Sequence, residues 1–416
     1  MAVDWETVPL DSLIEPGRGI TYGIVQPGAA VSDGVPIVRV SDVRDGRIAV
    51  SNPLRVAPAI EASSSRTRLA GSELLLTLVG TVGETAVVPE SLAGWNTARA
   101  VAVIPVRKEV GAYWVQMALR APGVRAIIDS RLNTTVQATL NLGDVAQLPI
   151  VLPPLREREA IAHILGTLDD KIELNRRMNE TLEAIARALF KSWFVDFDPV
   201  RAKAEGRDHG LPQPLADLFP DSFEDSELGE IPKGWEVVNL NDVADINYGQ
   251  NLPQTELLGC GIPVFGAAGV IGYYSEAMFK DPIVLVTSRG SGSGTVHETH
   301  GPSFVTNNSF SVIPKDGWFS RHYLKASLLN GDISSLVTGS AQPQLTITNF
   351  SYLKLVRPAE SVAREFHSFA DSLWQKKNAN QNESHTLAAL RDTLLPKLIS
   401  GELRVAHPKM LTEAMQ

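Results

Sequence analysis

A single cysteine, Cys260, stands in 416 residues. It excludes an intramolecular disulfide and a Cys-rich zinc site, and such scarcity suits a reducing compartment. No apolar run approaches the ~18 residues of a membrane-spanning helix, and the opening MAVDWETVPL lacks the basic-then-apolar order of a secretory signal. A cytoplasmic chain with no membrane role is expected. Net positive charge is also missing. Lys and Arg number 38 against 47 Asp and Glu, a balance of −9, which excludes a protein that coats phosphate indiscriminately. The deficit is uneven: residues 1–150 hold 13 basic against 14 acidic side chains, residues 235–354 hold 6 against 9, and residues 201–234 hold 4 against 8.

Catalytic signatures are equally scarce. No G-x-x-x-x-G-K-[ST] run offers a phosphate cradle, and no G-x-S-x-G offers a nucleophile elbow. The glycines of RGSGSGTVHETH alternate and no Lys follows them, so the run reads as a tight turn. Within it, His297 and His300 are separated by two residues, where zinc ligands on one helix face need three, and no Cys joins them. No Asp/Asn-Pro-Pro-aromatic run marks an amino-methyltransferase, and FGAAG alone is too short to define a methyl-donor site. The chain does not read as an enzyme.

What is present is an internal duplication, sought first because a missed repeat misstates the architecture. Trp5-Glu6 returns as Trp235-Glu236, Leu75 and Thr77 as Leu285 and Thr287, and Val103-Ile104-Pro105 as Val312-Ile313-Pro314. Gln137, Leu140 and Pro153 return as Gln342, Leu345 and Pro358, and Thr181-Leu182 as Thr386-Leu387. The offset drifts from 230 to 205 residues, as loop insertions and deletions require. Each copy is a mixed block followed by a long helix. Short apolar runs such as ELLLTLVG, ARAVAVIPV, DPIVLVTS and SFSVIP, bounded by Gly, Pro and Asn, read as strands. The class is therefore mixed α/β (α+β), and with 44% hydrophobic and 20% charged residues a packed core is expected.

The helices carry the clearest periodicity. From Leu155, Ile161, Leu165, Leu168, Ile172, Asn175, Asn179, Leu182, Ala186, Leu189 and Trp193 follow in steps of three and four, the heptad seam of a coiled coil. Pro153-Pro154, Glu157 and Glu159 suit its start and Pro199 bounds its end. In the second copy Phe366, Ala370, Leu373, Lys377, Asn380, Ser384, Leu387, Arg391, Leu394 and Leu398 take the same steps, with Gly401 placed as a C-terminal cap. Polar residues occupy both centres: Asn175 and Asn179 in the first, Asn380 and Ser384 in the second. Antiparallel pairing brings these centres together; the alternative is that both face solvent. The expected divisions are a first block at 1–152, a helix at 153–198, a surface connection with one short helix at 199–232, a second block at 233–357, a helix at 358–404 and a tail at 405–416.

The run LPPLREREAIAHILGTLDDKIELNRRMNETLEAIARALFKSWFVDFDPV, residues 152–200, resembles the central conserved region of specificity subunits from type I restriction-modification systems. The order of block, helix, block, helix extends the resemblance over nearly all of the chain. It implies that each block is a target recognition domain reading one half of a bipartite double-stranded DNA site. The two helices then pair antiparallel as a spacer, with pseudo-twofold symmetry. A ~40-residue helix at ~1.5 Å per residue spans ~60 Å, or at most ~18 base pairs, so unread bases separate the half-sites. The resemblance also implies partners: two modification methyltransferase subunits, which use S-adenosylmethionine, and a restriction subunit, which uses ATP and Mg. No cofactor is implied for this chain. A specificity chain of a modification-only system and a coiled-coil protein scaffold stay open as alternatives. The second helix opens RPAESVAREF where the first has LPPLREREAI, and its seam holds Lys377 and Arg391, so strict twofold behaviour is in doubt.

Arg pairs bidentately with guanine and Asn with adenine, so residues of these types beside strand ends are the base-reading candidates. They are Arg39, Ser41, Arg44, Asn96 and Arg99 in the first block, and Arg289, Ser291, Asn307 and Asn308 in the second, with the serines on the same loops; Tyr248 joins them as a residue that either stacks on a base or packs. Each is equally a solvated loop residue or turn-former on sequence grounds. Arg156, Arg158, Arg176, Arg177 and Arg187, on the outer face of the first helix, are candidates for partner docking.

Overall fold

The computed structural model describes residues 5–132, 137–339 and 342–405. The chain divides into two units, Met1–Glu173 with Ser384–Gln416, and Leu174–Glu383.

In the first unit, strand Glu6–Pro9 pairs antiparallel with Pro149–Leu152, so the first and last strands of the block close on each other. A four-stranded sheet runs in the order Thr21–Tyr22, Val101–Ile104, Leu74–Thr77, Thr85–Val87. Its central strand, LLLT, is buried at every position, which is why its sequence is a continuous apolar run and not an alternating one. A smaller sheet orders Leu54–Val56, Val35–Val38 and Asn96–Thr97, the last pair parallel.

The second unit repeats this plan strand for strand. Glu236–Asn239 closes on Lys354–Arg357. Its main sheet runs Ala244–Tyr248, Ser309–Pro314, Val284–Thr287, Val296–Glu298. The smaller sheet orders Gly269–Tyr274, Ile262–Gly266 and Phe304–Val305, again with a parallel last pair. The duplication read in the sequence is thus a duplication of topology.

The two long helices span Leu155–Phe194 and Glu360–Ile399, 40 residues each. In the first unit, Ile161 and Leu165 of one and Leu395 and Leu398 of the other are buried beside Leu10, Trp114, Met117 and Ile150. In the second unit Phe190 and Trp193 meet Phe366 and Ala370 beside Trp235, Tyr323 and Leu324. Each large side chain so buried contributes ~1.5–3 kcal/mol. Antiparallel order is visible within each unit. Glu157 pairs with Arg404 and Asp169 with Arg391 in the first, Asn179 with Asn380 and Glu183 with Lys377 in the second, so numbers rise on one helix as they fall on the other.

The second helix ends as expected, with Gly401 in the left-handed region at φ +70°, where a Cβ would also meet the Trp5 ring at 3.2 Å. The end of the first differs from expectation. It stops at Phe194, and Pro199 opens a new helix, Asp198–Ala204, instead of merely bounding the old one. Nor are residues 199–232 only a surface connection. They form two short helices and a hairpin, Phe223–Ser226 with Gly229–Pro232, and Val200, Phe219 and Ile231 join the core of the second unit. Frequent acidic side chains hid these few anchors from a compositional reading. The tail beyond residue 405 lies outside the described residues.

Candidate nucleic-acid interface

At one end of the main sheet of the second unit, backbone hydrogen bonds tie four loops into a ring. The Asn307 amide donates to the Gln250 carbonyl at 3.1 Å and the Ser288 amide to the Asn308 carbonyl at 2.8 Å. Leu345 donates to Ser288 at 2.9 Å and Gly290 to Pro343 at 3.0 Å, while Arg289 bridges Gln344. Tyr248 stands where its strand enters the ring, its ring edge-on to Phe310 at 4.7 Å.

The first unit builds the same ring bond for bond. Arg99 donates to Ile24 at 2.9 Å, Leu78 to Ala100 at 2.8 Å, Leu140 to Leu78 at 2.9 Å and Gly80 to Ala138 at 3.0 Å, while Val79 bridges Thr139. These bonds equate Ile24 with Gln250, Val79 with Arg289, Arg99 with Asn307, Ala100 with Asn308 and Thr139 with Gln344. Gly23 and Gly249 also coincide, each at a contact no side chain tolerates. A Cβ on Gly23 would lie 1.9 Å from the Thr97 carbonyl oxygen, and one on Gly249 2.3 Å from that of Thr306.

Five of the ten base-reading candidates belong to these rings. Arg99 and Arg289 are exposed, and Asn307 and Asn308 half-buried, with no side-chain partner among the described residues; Tyr248 is 38% exposed. Ser291 follows on the Arg289 loop and is exposed. Arg39 adjoins the first ring, but its guanidinium is engaged by Asp42, with Nε donating to Oδ2 at 3.2 Å and an Nη to Oδ1 at 3.3 Å. Ser41 Oγ also donates to Asp42, at 3.4 Å. Arg44 is exposed on the hairpin Val43–Arg44 with Arg47–Ile48, outside the ring.

Asn96 requires a correction. It is fully buried, and its carbonyl oxygen accepts from Thr67 Oγ1 at 2.7 Å while its amide nitrogen donates to Glu61 Oε1 at 3.2 Å and the Ser64 carbonyl at 3.1 Å. It braces loops and has no edge to offer a base. Hydrogen bonding from Arg68, with burial opposing and Asn96 assisting, holds the Glu61 carboxyl below its ordinary range. Tyr22, Gln250 and Gln344 were not among the candidates, although Tyr22 is 45% exposed at the position equivalent to Tyr248. The one sequence signal for the fourth loop was the repeated Gln137 and Gln342.

On the helix pair, Asn175 and Asn380 are buried, 0% and 3% exposed. Asn175 Nδ2 donates to Glu383 Oε2 at 2.8 Å and the Asn380 carbonyl at 3.3 Å, and Asn380 Nδ2 donates to Asn179 Oδ1 at 2.9 Å. The polar seam positions Lys377 and Arg391 are ion-paired across the helices, Nζ to Glu183 at 2.5 Å and an Nη to Asp169 at 2.7 Å. Asp169 also accepts from the Tyr113 hydroxyl at 2.8 Å, and burial followed by this carboxylate pushes that phenol upward. Leu168, Ile172, Leu189, Ser384, Leu387 and Leu394 are half-buried along the seam. Leu182, Ala186, Leu373 and Trp374 line a groove in the second unit beside Arg187. Of the docking candidates, Arg156, Arg177 and Arg187 are exposed, Arg158 donates to the Glu109 carbonyl at 2.6 Å, and Arg176 pairs with Glu180.

The family model described as type I restriction modification DNA specificity domain matches residues 2–184 and again 232–386. The chain belongs to this family. Among relatives, the specificity subunit of the type I restriction enzyme HindI from Haemophilus influenzae is 29% identical over 67% of this chain and 74% of its own length. The MjaIX specificity subunit of Methanocaldococcus jannaschii is 28% identical over 62% of this chain, which spans 61% of that relative. The S subunit of the type I system from M. genitalium has the same fold, with a TM-score of 0.52 at 17% identity, covering 95% of this chain and 96% of that one. The two family matches cover the two blocks and the greater part of each following helix, so each ring lies inside one specificity domain. No described helix of this specificity chain is long and apolar enough to cross a membrane.

Proposed function

We propose that this chain is the non-catalytic DNA-recognition subunit of a type I restriction-modification complex. Each block reads one half of a bipartite double-stranded site, and the paired helices set the gap and dock two modification methyltransferase subunits, with a restriction subunit joining the assembly. The observation that carries this reading is the repeat of three sheets of one specificity domain in the same strand order, with each copy followed by a 40-residue helix. Two similar readers on one chain suit a target with two unlike halves. S-adenosylmethionine belongs to the methyltransferase partner and ATP with Mg to the restriction partner; this chain positions them on DNA and binds neither.

Docking is supported by the exposed positions of Arg156, Arg177 and Arg187 and by the apolar groove beside Arg187. The decisive experiment co-expresses the chain with the methyltransferase of its own operon in a host free of N6-methyladenine and maps methylation by single-molecule sequencing. One bipartite motif of fixed gap with a methylated adenine in each half is expected. A soluble, co-purifying complex that methylates no defined motif would overturn the reading.

A further inference from the structure

The two rings permit a comparison within one chain: the same backbone frame carries two sets of side chains. Where the frame demands a residue, the copies agree. Gly23 and Gly249 keep the close approach to a neighbouring carbonyl, Gly80 and Gly290 hold φ near +79° and +90°, and Tyr22 and Tyr248 both enter the ring half-exposed. At the remaining matched positions they disagree, although Ile24 turns into the core with Ile37 and Val56 where Gln250 is exposed. Ile24, Val79, Arg99, Ala100 and Thr139 in the first ring stand opposite Gln250, Arg289, Asn307, Asn308 and Gln344 in the second.

Retained framing with exchanged side chains is the pattern expected of two readers built for two unlike half-sites. A purely structural loop end has no reason to replace three apolar side chains, Ile24, Val79 and Ala100, by Gln250, Arg289 and Asn308 at matched positions. The exchanged groups also suit base edges. Gln250, Arg289, Asn307, Asn308 and Gln344 have no side-chain partner among the described residues, so their donors and acceptors are available. No acidic residue stands in ring segments 20–24, 78–80, 97–100, 137–140, 248–250, 288–291, 306–309 or 342–345, in a chain with 47 of them. A carboxylate there would repel the phosphates flanking any base being read.

Resting on the DNA-recognition reading above, we infer that these two rings are the base-reading surfaces, and that the matched positions encode the two half-sites. Arg99 reads a guanine in the half addressed by the first unit. In the other half Arg289 reads a guanine and the Asn307–Asn308 pair reads adenine, each through the bidentate geometry its side chain permits. The second unit therefore reads more of its half-site by direct hydrogen bonds, and the first depends chiefly on Arg99.

The test uses the full chain in complex with its methyltransferase and compares methylation motifs of R99A, R289A and N307A/N308A with that of the unaltered complex. Absence of any motif with the unaltered chain would count against the DNA-recognition reading itself. Given a wild-type motif, R99A is expected to relax one guanine position in one half, R289A one guanine position in the other, and N307A/N308A an adenine position beside it. Discrimination at the relaxed position should fall about ten- to hundredfold, the value of one bidentate pair. Where a variant complex no longer methylates, its binding to duplexes with each base pair substituted through the wild-type motif decides. Flattened discrimination at one position of the matching half supports the assignment. Full discrimination retained by all three variants, or loss of the methyltransferase from the purified complex, overturns it.

Discussion

An amide can read adenine or brace a loop, and its surroundings decide which. Asn96 and Asn307 are the same residue type in neighbouring positions of the duplicated plan. Yet Asn96 is sealed among Thr67, Glu61 and Ser64, whereas Asn307 leaves the ring without a partner among the described residues. N96A should remove the acceptor of the buried Thr97 amide and weaken the hold on Glu61, destabilising the first unit by ~1–3 kcal/mol in thermal or urea melts. The methylation motif should be unchanged; a relaxed position would place Asn96 among the readers after all. His322 illustrates burial acting on charge. It lies between Glu298 and Asp371, with Nε2 3.2 Å from Asp371, a stacked His367, and Arg321 and Lys325 on its own helix. Burial, then the Arg321 charge, holds its imidazole below the ordinary histidine range, and burial likewise lowers His297. The unfolded chain binds protons from about pH 6.5 downward while these folded groups do not. Stability is therefore complete above pH 6.5 and falls as the pH drops through the folded values. Calorimetry between pH 7.5 and 5.5 should show a falling Tm, with a shallower fall for H322Q; parallel curves would mean that His322 does not take part.

At the scale of elements, the helix pair joins apolar clusters to a buried amide layer. N380L removes the donor to Asn179 Oδ1 and leaves that half-buried amide facing leucine, at a cost of ~1–3 kcal/mol. Adding N179L replaces a mismatched pair by two apolar side chains, so the double variant should lose less than the sum of the singles. A double-mutant cycle should give a coupling of ~0.5–3 kcal/mol, and additivity within ~0.3 kcal/mol would mean the amides act independently. Much of this element was legible beforehand, because a period repeated over 40 residues needs no knowledge of distant contacts. The same holds for LLLT, whose unbroken apolar run announces a doubly covered strand. The hairpin at 223–232 was not legible, since FEDS and GEIP expose four of their eight residues and bury only Ile231 and Pro232. The rings were legible in part. Arg99, Tyr248, Arg289, Asn307 and Asn308 drew notice by residue type, but their assembly depends on hydrogen bonds across 40 or more residues, such as Leu140 to Leu78 and Gly290 to Pro343. Asn96 misled because residue type carries no record of burial.

For the whole molecule, the proposed reading makes each half of the target separately changeable, within a limit set by packing. Glu6–Pro9 closes on Pro149–Leu152 just before Pro153, so residues 1–152 leave the chain at a natural seam. The core of that block continues into the helices, where Ile161, Leu165, Leu395 and Leu398 are buried against it. A replacement first block must therefore present an apolar face of similar shape, because unfilled space beneath two such residues costs several kcal/mol. A related block that meets this condition should change one half of the methylation motif and leave the gap and the other half untouched, since the second ring and both helices are unaltered. Stability identifies the alternative outcomes. A chimera that co-purifies with the methyltransferase and melts near the parent temperature, yet changes both halves or the gap, would show that the blocks do not read independently. A chimera that fails to assemble should be rescued when Ile161, Leu165, Leu395 and Leu398 are also taken from the donor. Recovery of a motif new in one half alone would then locate the obstacle in the shared core and leave the division of reading intact.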